Sequence, residues 1–171
     1  MNLALKTCTV RSWEWRDLDA IVRHANNRRV SINLRDRFPY PYTARDARNW
    51  LDCVVARKPE TSFAIDVAGE AVGGISFHVQ SDVEHRSAEI GYWLGEEFWG
   101  RGIATEVLIV ITDFAFANHD LCRLYAHVFD WNGASARVLE KAGYVYEGRL
   151  RKSVTKDGKT IDQLMYAIVR D

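Results

Sequence analysis

Along the 171 residues the spacing of apolar positions changes period several times, and each change marks an element. Alternation in Leu5-Lys-Thr-Cys-Thr-Val10 predicts a first strand. Trp15 to Asn26 then carries Leu18, Ile21, Val22 and Ala25 at helical spacing. Asn27 to Tyr42 is polar and aromatic, broken by Pro39 and Pro41, and reads as a loop. Thr43-Ala-Arg-Asp46 has the form of a capping box, and Ala47, Trp50, Leu51 and Val54 behind it make one apolar stripe. A second helix is therefore expected to run to near Pro59.

The period then shortens to two. Ser62 to Val67, a turn at Ala68-Gly69-Glu70, Ala71 to Val79 and Ser87 to Leu94 predict three antiparallel strands in succession, a meander. Beyond Gly102 the pattern gives a helix to about Asn118, a strand over Arg123 to Phe129, a helix over Ala134 to Ala142, and strands near Tyr144 to Leu150 and Ile161 to Val169. Val107-Leu-Ile-Val-Ile111 also suits a buried strand by propensity, but the length of its run and its glycine start favour a helix. The order is βααβββαβαββ. No internal repeat, low-complexity tract or Pro/Ser-rich linker interrupts it, so one domain spanning 1–171 is expected.

Composition narrows the classes. A hydrophobic content of 47% suffices for one sizeable core. Lys plus Arg and Asp plus Glu are equal at 23 each, so no overall field draws the chain to nucleic acid or to an anionic membrane, and any bound anion must be held locally. The longest near-apolar run, Val107 to Ala117, is interrupted by Thr112 and Asp113 and falls short of the roughly 20 residues that a span needs. Cys8, Cys53 and Cys122 are odd in number and widely spaced, which fits neither a disulfide framework nor paired zinc ligands, and a reducing cytoplasm is the expected location. His24, His78, His85, His119 and His127 lack metal-ligand spacing, so no metal is expected and the histidines read as structural.

The chemistry concentrates in Glu89-Ile-Gly-Tyr-Trp-Leu94 and Trp99-Gly-Arg-Gly-Ile-Ala-Thr-Glu106, a strand feeding a glycine turn that opens a helix. Free N–H groups at the positive end of a helix dipole make such a turn a phosphate cradle. Gly100-Arg-Gly102 alone is a weak signal that also suits a plain tight turn. On the later helix Asn132, Ser135, Ala136 and Leu139 share one face, although Asn132 is also a good N-cap and Ser135 is also simply small.

Together with Asn132-Gly-Ala-Ser-Ala-Arg-Val-Leu-Glu-Lys-Ala-Gly-Tyr144, these segments closely resemble the GNAT acyltransferase superfamily, and within it the RimJ/RimL branch of amino-terminal acetyltransferases. The resemblance implies an α/β (α+β) fold with a mixed, mostly antiparallel central sheet flanked by helices. It implies acetyl-coenzyme A bound between two splayed strands, contacted by Tyr92, Trp93, Leu94, Trp99, Gly100, Arg101, Gly102, Ile103, Ala104, Thr105, Asn132 and Ser135, with direct transfer of the acetyl group to an amine. Glu97 departs from the glutamine or arginine common there, and a carboxylate beside a pyrophosphate is expected to point outward. Leu139 stands where many members have a tyrosine, which leaves Ser135 as the candidate acid or thiolate hydrogen-bond donor. A coenzyme-binding module without chemistry is the alternative class. A homodimer is an expectation of the resemblance only.

Amide formation needs a neutral amine. An α-amine with pKa near 8 is roughly a fifth neutral at pH 7.4, a lysine amine only about 0.1%, a gap of about 3 kcal/mol. The first needs little help from a base. Glu89 is the candidate carboxylate, sharing a strand face with Gly91 and Trp93; a solvated or salt-bridged edge group is the competing reading. Tyr92, Trp93, Phe98 and Trp99 suit either core or a wall around the thioester. Asn33, Arg35, Phe38 and Tyr40, with Trp93, are the candidate acceptor contacts, and residues 151 to 159 are expected as a loop framing the other edge. An α-amine of a protein or peptide is the expected acceptor, a polyamine, aminoglycoside or amino acid the alternative.

Overall fold

The computed structural model describes residues 1–171, which divide into two compact units: residues 1–76 with 92–107, and residues 77–91 with 108–171. Eight strands are present: β1 (Asn2–Ala4), β2 (Thr9–Arg11), β3 (Ser62–Val67), β4 (Glu70–Val79), β5 (Ser87–Leu94), β6 (Arg123–Phe129), β7 (Val145–Lys156) and β8 (Lys159–Val169). The helices are α1 (Leu18–Ala25), α2 (Arg28–Ser31), α3 (Ala44–Val54), α4 (Ile103–Asn118) and α5 (Gly133–Lys141). The strands follow the order β1-β2-β3-β4-β5-β6-β8-β7. β5 and β6 are parallel; the pairs β1–β2, β2–β3, β3–β4, β6–β8 and β7–β8 are antiparallel. The expected order of elements is recovered, with a short strand and a short helix added.

In the first unit the alternation over Leu5–Val10 is divided between two strands. Leu5 N–H donates to Cys8 O at 2.8 Å and closes a turn between β1 and β2. The Glu106 carboxylate, from the first turn of α4, accepts the N–H groups of Lys6 (2.7 Å) and Thr7 (3.1 Å) and the Thr7 hydroxyl. N–H groups taken by a carboxylate are lost to a ladder, which is why one strand becomes a hairpin.

Arg11 on β2 organises this unit. Its guanidinium donates to both Asp17 oxygens at 2.7 and 2.8 Å and through Nε to Asp66 Oδ2 at 2.8 Å. Asp17 also accepts Glu14 N–H at 2.9 Å, and Asp66 accepts Gly69 N–H at 2.7 Å. The entry to α1 and the β3–β4 turn are thus tied to one buried cation. The Asp17 hydrogen bonds hold the Arg11 proton more tightly than usual, against burial and with help from Asp66.

Around this network Trp13, Ile21, Ala25, Tyr42, Ala47, Leu51, Val54, Ala64 and Ala71 form a core, with Trp50 edge-on to Trp13. The stripes expected on α1 and α3 supply it, and the Thr43/Asp46 capping box starts α3. The helix stops at Val54, five residues short of Pro59. The segment expected as a loop over 27–42 holds α2, capped by Asn27, whose side chain accepts Arg29 N–H at 2.8 Å.

β4 and β5 run antiparallel, with Gln80 N–H donating to Ser87 O (2.9 Å) and Gly95 N–H to Val72 O (2.8 Å). In the second unit β6 pairs with β8 along its whole length. Residues 151–159, expected as a loop, instead extend the β7–β8 hairpin through a turn at Asp157 and Gly158, both at positive φ. The register shifts between Leu150 and Val154, where Lys152 at φ 50° donates its N–H to Asp162 Oδ1 at 2.7 Å. On the buried side, Thr112 and Tyr144 hydroxyls lie 2.7 Å apart.

Arg11→Met leaves two buried carboxylates without their cation, and a loss of about 3–5 kcal/mol is expected. Urea unfolding measures it, and a loss under about 1 kcal/mol would contradict the assigned role. Burial pushes Tyr42 and Tyr144 up to about 12, with Asp46 adding to the rise at Tyr42 and Thr112 opposing it at Tyr144. The unfolded chain releases these protons near pH 10, so their contribution is intact below pH 10 and is lost as pH rises towards 12, by up to about 3 kcal/mol per tyrosine. Tyr144→Phe is expected to flatten that alkaline loss by about half, read from unfolding midpoints at pH 9 to 12; an unchanged slope would show that Tyr144 carries none of it.

Candidate functional site

The glycine turn lies in the first unit. After Gly95 the chain makes a 3-10 turn over Glu96–Phe98, extends at Trp99, and passes Gly100 (φ 75°) and Gly102 (φ 80°) into α4. A Cβ at either glycine would meet nothing within 4 Å, so the left-handed backbone rather than lack of space requires glycine there. Glu106 N–H makes the first helical bond, to Gly102 O at 3.1 Å. The N–H groups of Ile103, Ala104 and Thr105 precede it, at the positive end of a sixteen-residue helix. Arg101 is exposed, its guanidinium 5.2 Å from the Phe98 ring centroid, and Glu97 is exposed as expected. This donor set fits a pyrophosphate, and the positive-φ glycines let the main chain present it.

Two supports of the turn escape a sequence reading. Glu96 accepts Asn27 Nδ2 at 2.8 Å and also pairs with Arg29. His24 lies beneath Gly95, where an added Cβ would come within 3.0 Å of Nδ1, and meets Phe98 edge-on at 5.5 Å. Its Nε2 is 2.8 Å from Glu70 Oε1. Both supports join residues some seventy positions apart, a separation that local spacing does not reveal.

The aromatic residues divide between the two readings. Leu94 is buried, Tyr92 half-buried, and Trp93 packs on the core with Phe38 at 5.4 Å. Trp99 is exposed, with Nε1 donating to Leu94 O at 2.7 Å and Arg29 over its ring. In the first loop Phe38 also meets Tyr42 at 4.9 Å, so packing accounts for Phe38. Asn33 donates to Arg29 O at 3.0 Å. Tyr40 and Arg35 are exposed, and Arg28 lies over the Tyr40 ring.

The second unit holds Glu89 and the α5 residues. The parallel ladder pairs Ser87–Glu89 with Arg123–Tyr125 and ends there, although β6 continues to Phe129. His127 Nδ1 lies 3.2 Å from Glu89 Oε1, and Tyr125 is edge-on to the imidazole at 5.5 Å. Leu124, Ala126 and Val128 are buried between these residues, so Tyr125 and His127 share the other face of β6. That alternation is the sequence signal that puts His127 on one face with Tyr125. Asn132 caps α5, its Oδ1 accepting Ser135 N–H at 3.2 Å. Ser135 is half-buried, while Leu139 is core at 1% exposure. Tyr144, buried and bonded to Thr112, holds its proton up to about 12 and is no acid for a leaving group at neutral pH.

A family model described as an acetyltransferase (GNAT) domain matches residues 8–145. The uncharacterized N-acetyltransferase YoaA of Bacillus subtilis is 40% identical over 101 residues, 59% of this chain and 56% of that protein, so the chain matches little more than half of YoaA's length. A RimL ribosomal L7/L12 α-N-protein acetyltransferase solved with coenzyme A shares the fold at TM-score 0.84 and 22% identity, covering 99% of this chain and 98% of that one. A Vibrio cholerae spermidine N-acetyltransferase solved with coenzyme A and spermine does so at TM-score 0.80 and 24% identity, over 96% of each chain. Its mixed, mostly antiparallel sheet flanked by helices is the fold of these structures. With the family match running over residues 8–145, the chain belongs to the GNAT acetyltransferases and is an N-acetyltransferase whose acetyl donor is acetyl-coenzyme A.

Proposed function

We propose that this enzyme acetylates an amino-terminal α-amine of a protein or peptide, in the manner of the RimJ/RimL branch, with residues 1–171 acting as one catalytic domain. The observation that carries the coenzyme half is the run of N–H groups from Gly100 to Thr105, which precede the first bond of α4 and suit the pyrophosphate. Arg101 adds a cation beside them. Acetyl-coenzyme A supplies an acetyl carbon activated by the thioester. Ser135 donates a hydrogen bond towards the sulfur as charge develops there, and Asn132 sets Ser135 by capping the first turn of α5. A serine hydroxyl is a poor acid, so stabilising the thiolate is the role assigned. The Glu89–His127 pair takes the proton that leaves the amine.

The acceptor class rests on charge. Arg28, Arg29, Arg35 and Arg37 are exposed in the segment 27–42, against two carboxylates, Asp36 within it and Glu96, which pairs with Arg29. A polyamine carries several positive charges and is repelled by such a surface, whereas peptide carbonyls and carboxylates accept from guanidinium groups. The fold likeness to a spermidine acetyltransferase supports the polyamine alternative, and this charge opposes it.

Thiol release from acetyl-coenzyme A is expected with peptides bearing a free N-terminus at a kcat/KM at least tenfold above that for spermidine; the reverse ratio would replace the acceptor. Coenzyme A at 100 times its Kd is expected to stabilise the fold by about 2.7 kcal/mol, and no stabilisation would sink the coenzyme assignment. Gly102→Val puts a β-branched residue at φ 80°, and at least tenfold weaker coenzyme binding is expected from calorimetry on the folded variant. Unchanged affinity would remove the glycine turn from the site.

A further inference from the structure

Glu89 and His127 meet where the parallel ladder of β5 and β6 ends. Glu89 is the last paired residue of β5, opposite Tyr125, and His127 lies two residues farther along β6 on the same face. The 3.2 Å contact uses Nδ1 of the imidazole and Oε1 of the carboxylate. A carboxylate accepts, so Nδ1 carries the proton and the lone pair of the neutral ring sits on Nε2. Nε2 has no protein partner, and since every buried side-chain nitrogen in the chain has one, Nε2 reaches solvent. Gly91, two residues past Glu89, would place a Cβ with nothing within 4 Å, which leaves room beside the pair for an incoming group. The Tyr125 ring, edge-on at 79°, fixes the plane of the imidazole.

The geometry points to His127 Nε2 as the atom that takes the proton from the acceptor amine, with Glu89 holding the ring in the Nδ1–H tautomer. This rests on the acetyl-transfer reading above and assigns the base within it. The amine nitrogen forms its bond to the acetyl carbonyl carbon, the carbon–sulfur bond breaks with its electron pair leaving on sulfur, and the ammonium proton moves to Nε2. The imidazolium is held by Glu89, and its proton returns through water to the thiolate, so that one amine and one thioester give one amide and one thiol. A free imidazole is about a hundredfold stronger base than a free carboxylate, from ordinary pKa values near 6.5 and 4.3, and an ion-paired imidazolium is the better product of the transfer. Glu89 from β5 and Tyr125 on β6 contact the ring; Arg123, over the Tyr125 ring, is paired with Glu147, and the β8 partner of His127 is the uncharged Met165.

His127→Asn keeps a donor where Nδ1 stood and removes Nε2. With a peptide acceptor, kcat is expected to fall by about 10²–10³-fold, with coenzyme affinity within twofold of wild type. Imidazole added to His127→Ala is expected to restore turnover. If His127→Asn keeps more than a third of wild-type kcat, the histidine only holds Glu89 and the proposal is overturned. Nitrogen-15 NMR of the wild-type ring gives a second reading that needs neither turnover nor a folded variant: the neutral ring is expected as the Nδ1–H tautomer, and Nε2–H would overturn the assignment. A wild-type enzyme that releases no thiol with any amine would instead overturn the proposed function.

Discussion

A guanidinium buried between two carboxylates sets the geometry of the first unit. Arg11 cannot be removed from water without both Asp17 and Asp66, and neither carboxylate can stay buried without it, so the end of β2, the entry to α1 and the β3–β4 turn are fixed together. The consequence reaches the glycine turn through α1. That helix carries His24, whose ring fills the space under Gly95 and meets Phe98, so the chain leaving β5 is aimed before it reaches Gly100. The turn is positioned by packing, so its free N–H groups are held in place by the fold itself.

In the second unit, chemistry and structure draw on the same backbone pattern. Ladder bonds between β5 and β6 stop at Glu89 and Tyr125, and the side chains at that point, Glu89 and His127, bond to each other. Asn132 is an N-cap first, and through that role it sets Ser135. Leu139 and Tyr144 are taken by the core, the first by full burial and the second by burial with a bond to Thr112. With an aliphatic at 139 and a locked phenol at 144, neither side chain is free to act as an acid on the α5 side.

Elements with a strong period were legible in the sequence. The meander over Ser62–Leu94, the helix from Ile103 to Asn118 and the strand from Arg123 to Phe129 are where alternation and the glycine start placed them. The β-branched run Val107–Ile111 is helical, with Val107, Leu108 and Ile111 buried, because the long apolar run that follows the glycine turn outweighs intrinsic strand propensity. The misses have particular causes. Leu5–Val10 is interrupted because Glu106, a hundred residues away, takes two of its N–H groups. The segment 151–159 reads as polar loop, yet it is held as strand by pairing with β8 and by Asp162 on Lys152.

The sequence by itself determined the order of elements, the glycine turn and the residue types that face each strand and helix, since these follow from local periodicity and from the few residues that tolerate positive φ. His127 was present in that pattern but carried no meaning alone, because an imidazole on a strand face is ordinary. Only the tertiary structure decided that it meets Glu89, that His24 and Glu96 brace the turn, and that Phe38 belongs to the core. Each of these depends on which distant residues a strand register or a helix contact brings within bonding distance, and no local spacing in the chain encodes that choice.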